Sequence, residues 1–282
     1  MKKLLLLSAS IVACGFCIKA AAQLNTAIEF SPKAPEKLFI GALLSAKSLN
    51  KDQHEFIDVP LNDITVSFSV PVKSIDINPS LPNMKKALEN AIQIKPPSQN
   101  LSFSYSIWEL SSYNQLPLLF GQQINLPELT GIKSIRKTKK TLVCMDISRI
   151  AVSIEMDLPE ALIAKPLPDQ YDKNDVIYVS SVKFGRRAIV LIESRADYGD
   201  IKSALETMLA NKPADEKSMR VLSNANIRTI TQGIENFEVT DENPFNKIIN
   251  DINKQITIAD FGVPINFTAA YLKNHEAFVN KF

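Results

Sequence analysis

The side chains that could do chemistry are few and scattered. The sequence holds two histidines, His54 and His275, and neither has a cysteine, a second histidine or an H-E-x-x-H partner close by. Metal sites draw on such residues at short, fixed spacings, so no metal site is expected and each histidine reads as a surface residue. Asp146, Glu155 and Asp157 can be imagined as paired acids. Glu155 and Asp157, however, are two positions apart in an alternating segment and simply share one polar face. No G-x-S-x-G elbow occurs, and the eight glycines form no phosphate-cradling loop. The expectation is a protein without catalytic residues or cofactor, and not an enzyme.

The elements that would position any site alternate between two periods. Ile64 to Val72 and Leu101 to Trp108 alternate apolar and polar residues and read as half-buried strands. Asn83 to Ile94 places Met84, Ala87, Leu88, Ala91 and Ile92 at helical spacing, and Asn114 to Gly131 should hold a short helix and a turn. In Leu142 to Leu158 the residues Ile150, Val152, Ile154, Met156 and Leu158 fall on one face of a strand, with Arg149, Ala151, Ser153, Glu155 and Asp157 on the other. Pro159 stops this strand, and residues 160–175 read as a connection. Val176 to Ser194 suggests two short strands meeting at Phe184-Gly185-Arg186.

After a polar break, Ile201, Ala204, Leu205, Met208 and Leu209 form a helical stripe, with Asp200 as N-cap and Pro213 beyond the end. The same segment also alternates at period two. Ile201, Ser203, Leu205, Thr207 and Leu209 share one face, opposite Lys202 and Glu206. Asn226 to Thr231 is a brief strand ending at Gly233, Pro244 to Ile256 a helix, and Pro264 to Leu272 a final strand. Alternating strands favour an antiparallel sheet with a covered face, so the fold class is α+β.

Residues 1–22 have the form of a secretory signal, with Lys2 and Lys3, an apolar run from Leu4 to Ile18, and Ala20-Ala21-Ala22 before the cleavage point. The rival is a lipoprotein box, Ile11-Val12-Ala13-Cys14, which would anchor Cys14 at a bacterial cell surface. Simple cleavage leaves Cys144 alone and hence no internal disulfide. The core must then hold a chain of about 260 residues without covalent help, which this length permits. A net charge of +2 and the absence of any long basic run argue against nucleic acid as a partner. Lys133 to Lys140 is basic but short, and reads as a solvated loop.

Several blocks, in order, resemble the thiol-activated, cholesterol-dependent cytolysins. Leu142 to Pro159 ends in Met156-Asp157-Leu158-Pro159. Tyr178 to Ser194 contains Val179-Ser180-Ser181-Val182, Phe184-Gly185-Arg186 and Glu193. The helix running to Asn211 follows, and Pro264-Ile265-Asn266-Phe267 precedes Leu272-Lys273-Asn274. The likeness is good over roughly 130–275 and weak before that, and it rests on order and spacing. It implies a bent antiparallel β-sheet flanked by helical bundles, the pore-forming core shared with membrane attack complex proteins, over residues 23–282. It also implies a secreted, lytic toxin whose subunits oligomerise and each unfurl helices into two β-hairpins that close a barrel in a target-cell membrane.

In that picture Ile150, Val152, Ile154, Met156 and Leu158 face lipid in the first hairpin, Ile201, Leu205 and Leu209 in the second, and Gly185 and Gly233 are hinges. The family's C-terminal domain, with its tryptophan-rich cholesterol loop, would begin where the sequence stops at Phe282, and the one tryptophan is Trp108. The resemblance therefore implies a homo-oligomer, or a hetero-oligomer with a longer cytolysin-like partner. The alternative is a non-lytic surface or lipid-anchored binding protein that keeps the fold.

Overall fold

The computed structural model describes residues 26–98, 103–132, 136–210, 215–234 and 244–282. The proposed signal, residues 1–22, lies outside them. In chain order come β1 (Thr26–Ala27), β2 (Leu43–Ser45), β3 (Phe56–Ile57), β4 (Ile64–Phe68), β5 (Ile75–Ile77), α1 (Leu81–Ile94), β6 (Ser104–Leu110), α2 (Pro117–Phe120) and α3 (Leu126–Thr130). Then follow β7 (Thr141–Met156), β8 (Val176–Ser194), α4 (Tyr198–Leu209), α5 (Glu216–Ser223), β9 (Asn226–Gln232), α6 (Pro244–Asn253), β10 (Val263–Tyr271) and β11 (Asn280–Lys281). No helix among the described residues is long and apolar enough to cross a membrane.

The antiparallel hairpin of β7 and β8 is the axis of a nine-stranded sheet. In one half β6 pairs β7 and β9 pairs β8, giving the order β6-β7-β8-β9. In the other half β4 and β5 extend from β7, β10 takes over from β9 along β8, and β2 and β3 attach at the start of β8. A separate two-stranded ribbon joins β1 to β11.

Local sequence accounts for the elements. Helix α1 begins where Ser80 accepts a hydrogen bond from the Asn83 amide, has Pro82 in its first turn, and buries Met84, Ala87, Leu88, Ala91 and Ile92. Fully burying a Leu, Ile or Met contributes about 1.5–3 kcal/mol, so this stripe fixes α1 against the second half of the sheet. There it joins a core that includes Val152, Ile154, Val182, Phe184 and Phe267.

Four expectations are corrected and one element is new. Val176 to Ser194 is one strand of 19 residues rather than two. Its Gly-Arg-Arg looks like a turn, but Gly185 is there because the Arg149 carbonyl oxygen would lie 2.1 Å from an added Cβ. Ile150 does not share a face with Val152, Ile154 and Met156. A register shift between Ile150 and Val152 inserts an extra residue, so Ile150 opposes Gly185 while Val152 opposes Phe184, the neighbouring and oppositely directed position. The N-cap of α4 is Asp197, not Asp200. Helix α5 was not anticipated; its apolar positions are too few to show the period. His54, expected at the surface, is buried at 8% exposure.

Candidate functional site

The half-sheet β6-β7-β8-β9 carries two helical connections. Residues 111–140 run from β6 to β7 through α2 and α3, and residues 195–225 run from β8 to β9 through α4 and α5. Leu110 opposes Leu142 and Glu193 opposes both Leu142 and Asn226, so both connections leave and re-enter at the same end of the sheet. Alternation along the strands then assigns them to opposite faces. Cys144, Ile189, Leu191 and Ile230 pack with Tyr113, Leu116 and Phe120 of the first connection. Val143, Met145, Ile147, Val190 and Ile192 pack with Ile201, Leu205, Met208 and Leu209 of α4, Leu222 of α5, and Phe245, Ile248 and Ile252 of α6.

The expected lipid-facing residues fall into different settings. Ile201, Leu205 and Leu209 are the buried stripe of α4. Val152 and Ile154 are fully buried in the other half of the molecule, beside α1, while Ile150 is 40% and Leu158 74% exposed. Neither Val152 nor Ile154 lies on a helical connection.

The two proposed hinge glycines do come together, with a third that sequence reasoning missed. Gly233 ends β9 and Gly262 begins the approach to β10, with φ of +69° and +89°. Both backbones press on the carbonyl oxygen of Gly185, which would lie 2.6 Å and 2.2 Å from Cβ atoms added there. Only glycine combines positive φ with so close an approach. At this point β8 exchanges one edge partner for the other, since β10 pairs up to Gly185 and β9 from Arg187.

Three buried arginines surround the exchange. Arg149 and Arg186 oppose each other across β7 and β8. Both donate to the Lys254 carbonyl just past α6, at 3.0 and 2.8 Å, and Arg186 also pairs with the Asp260 carboxylate at 2.9 Å. Burial first, and Arg186 second, lower the pKa of Arg149. The negative end of α6 offsets this like-charge pair. Arg187, on the other face, grips Asp146 through two nitrogens at 2.9 and 2.6 Å and reaches Ser31 Oγ, Asn266 Oδ1 and the Leu119 carbonyl. The signal available in sequence was an Arg-Arg doublet inside a long apolar run, where charge must be paired if buried.

Cys144 is buried beneath the first connection, and burial raises its thiol pKa. A thiol held protonated is a poor nucleophile. Disulfide reagents should therefore leave Cys144 unmodified in the native protein and label it once urea is added. Labelling at the unfolded rate without urea would show that the first connection does not cover it. Among the described residues no group of His, Cys, Asp and Glu could hold a metal ion.

No protein-family model matches the chain. Seeligeriolysin of Listeria seeligeri is 24% identical over 276 residues, covering 86% of this chain and 52% of its own length. Pneumolysin superposes with a TM-score of 0.73 at 15% identity, over 90% of this chain and 61% of its own. A disulfide-locked early prepore of intermedilysin with CD59 gives 0.72 at 18% identity, over 91% and 60%. The chain thus spans about half the length of the curated relative it matches. The chain's sequence is similar to that of seeligeriolysin over most of its length, and its mixed helix-and-sheet fold, built on a large antiparallel sheet, is that of pneumolysin and intermedilysin.

Proposed function

We propose that this is a secreted pore-forming protein whose two helical connections refold into β-hairpins in a target-cell membrane. The observation that carries this is their match. Residues 111–140 and 195–225 are nearly equal in length, begin and end on neighbouring strands, and leave the same end of the sheet on opposite faces. Refolding each would lengthen all four strands by similar amounts. A tilted membrane strand needs about 9–11 residues, so each connection suffices for two strands and a turn. A closed barrel would then satisfy every backbone group inside lipid.

The edges of the half-sheet suit a ring. Among the described residues β6 pairs only with β7 and β9 only with β8. Four antiparallel strands return the alternation to its start, so β9 of one copy can accept β6 of the next as an antiparallel neighbour. Repeated head-to-tail, this closes a ring. The same edges would accept a related, longer cytolysin-like chain, which is the hetero-oligomeric form of the proposal. The complex of intermedilysin with human CD59 supports seeking a protein receptor as well as a lipid.

The first inserting element we propose is the β6–β7 connection rather than Ile150–Leu158, a reading supported by the burial of Val152 and Ile154 in the core beside α1. In the second, Ile201, Leu205 and Leu209 keep their lipid-facing role. Ser203 separates the two states: it is exposed on α4, yet shares the strand face of Ile201 and Leu205. Ser203→Arg should leave the folded chain intact but remove leakage, since an arginine facing lipid near the midplane costs about 2–4 kcal/mol per subunit. Lys202→Gln, on the opposite strand face, should leak normally.

Dye release from liposomes and target-like cells tests the proposal, with SDS-resistant oligomers followed alongside, for the chain alone and mixed with a cytolysin-like partner. Leakage with high-mass rings supports it. Binding without leakage in both arms overturns it in favour of a non-lytic surface protein.

A further inference from the structure

Five consecutive residues of the first connection are each held by a distant part of the chain. The Leu119 carbonyl accepts from Arg187, the Phe120 carbonyl from the Ser31 amide and the Gly121 carbonyl from Asn280 Nδ2, each at 3.0 Å. The Gln122 side chain donates to the Ser31 carbonyl and accepts from His54 Nε2 at 3.3 Å. The Gln123 amide donates to Asn50 Oδ1 at 3.2 Å. This turn is the clip that fastens residues 111–140 to the remainder of the molecule.

His54 stands behind the clip. Its ring lies between Phe56 and the edge of Phe267, at centroid distances of 6.3 and 5.7 Å. With Nε2 committed to Gln122, the buried Nδ1 has no hydrogen-bond partner among the described residues. The neutral ring tolerates this as a bare lone pair. The imidazolium would carry a second N–H with nothing to receive it, in apolar surroundings that disfavour charge. Lys33 is the charged group that acts on it, from the segment preceding β2, and Asp52 in turn acts on Lys33. Neither Phe56 of β3 nor Phe267 of β10 supplies an acceptor.

We propose that His54 is a proton-operated release for the first connection: protonation ejects the imidazolium from its aromatic slot, parts it from Gln122, and opens the 119–123 clip while α4 stays in place. Burial pushes the histidine pKa down to about 4, with Gln122 opposing and Lys33 reinforcing the shift. Below the ordinary value near 6.5 the opened form takes up a proton that the closed form refuses. The closed state is therefore fully favoured above about pH 6.5 and loses ground as pH falls toward 4. Nothing here requires a membrane, so the release can fail or succeed independently of pore formation.

The test is hydrogen–deuterium exchange of the full chain from pH 7 to 4.5, each peptide normalised to the unfolded chain at the same pH. Peptides from 113–130 should open by up to about tenfold more per pH unit below pH 6, the limit for one linked proton. Peptides of α4 should stay flat. In His54→Gln, whose amide can still donate to Gln122, the dependence should vanish. An equal response in α4, no response in 113–130, or an unchanged response in the variant would overturn the proposal. Should the variant not fold, NMR of carbon-13-labelled histidine decides, because the sequence holds only two. Titration of His54 coincident with opening of 113–130 supports the release, and opening while His54 remains neutral overturns it.

Discussion

Gly262→Ala is expected to destabilise the protein by about 3–5 kcal/mol, among the largest effects of any single substitution. Two costs add. Gly262 sits at φ +89°, where an alanine is strained by roughly 1–3 kcal/mol. Its new Cβ would also lie 2.2 Å from the Gly185 carbonyl oxygen and 2.5 Å from the carbonyl carbon. These are backbone atoms in the middle of β8 and cannot rotate away, so the strand itself must move. Gly199→Ala is the matched control. Gly199 lies in the first turn of α4 with nothing within 4 Å of an added Cβ, and the change should stabilise by roughly 0.4–1 kcal/mol. Urea titrations of the three proteins compare them. A Gly262 variant within 1 kcal/mol of the parent would mean that the three glycines do not meet.

Arg187→Met is the second large effect, a loss of about 3–5 kcal/mol. The guanidinium is almost wholly buried over the Phe120 ring and its partner Asp146 is one-fifth exposed, so the substitution strands the Asp146 carboxylate without its partner. The loss comes from the orphaned charge more than from the absent pair. Asp146→Leu combined with Arg187→Met should therefore recover much of it, and a double-mutant cycle would show strong coupling. Additive single effects would mean that the two residues do not act as a pair. The double variant should still weaken the hold on the first connection, because the Leu119 carbonyl loses its donor.

Sequence periodicity carried the helices and strands that have one wet face. The apolar positions of α1, α4 and α6 matched burial residue for residue, because a stripe at helical spacing has few other ways to leave water. It failed where both faces are covered. In β8 nearly every residue is buried, so alternation vanishes, and Gly185-Arg186-Arg187 imitates a turn. In β7 a single inserted residue reversed the face of Ile150, and period-two counting carries no record of a bulge.

The candidate site divides the same way. Gly185 and Gly233 were visible as glycines in strands. Gly262 became meaningful only when its backbone was seen against Gly185, a contact between residues 77 positions apart in sequence. The resemblance named the right fold; the first segment it offered for insertion, Ile150 to Leu158, lies on and just past β7, where Val152 and Ile154 are buried. The equal connections on opposite faces emerge only from strand register. His54 was misjudged because a lone histidine gives no sequence signal of the two phenylalanines that enclose it.

The unbroken length of β8 bears on how the molecule comes apart. At about 3.3 Å per residue a 19-residue strand runs some 60 Å, and every other strand of the nine-stranded sheet except β3 and β5 pairs with β7 or β8. Neither half of the sheet owns its central strands. A protease that cuts the 157–175 connection should therefore leave the two pieces associated, and neither piece expressed by itself should give a folded product. Melting should be a single cooperative event, with the amides at the middle of β8 the last to exchange.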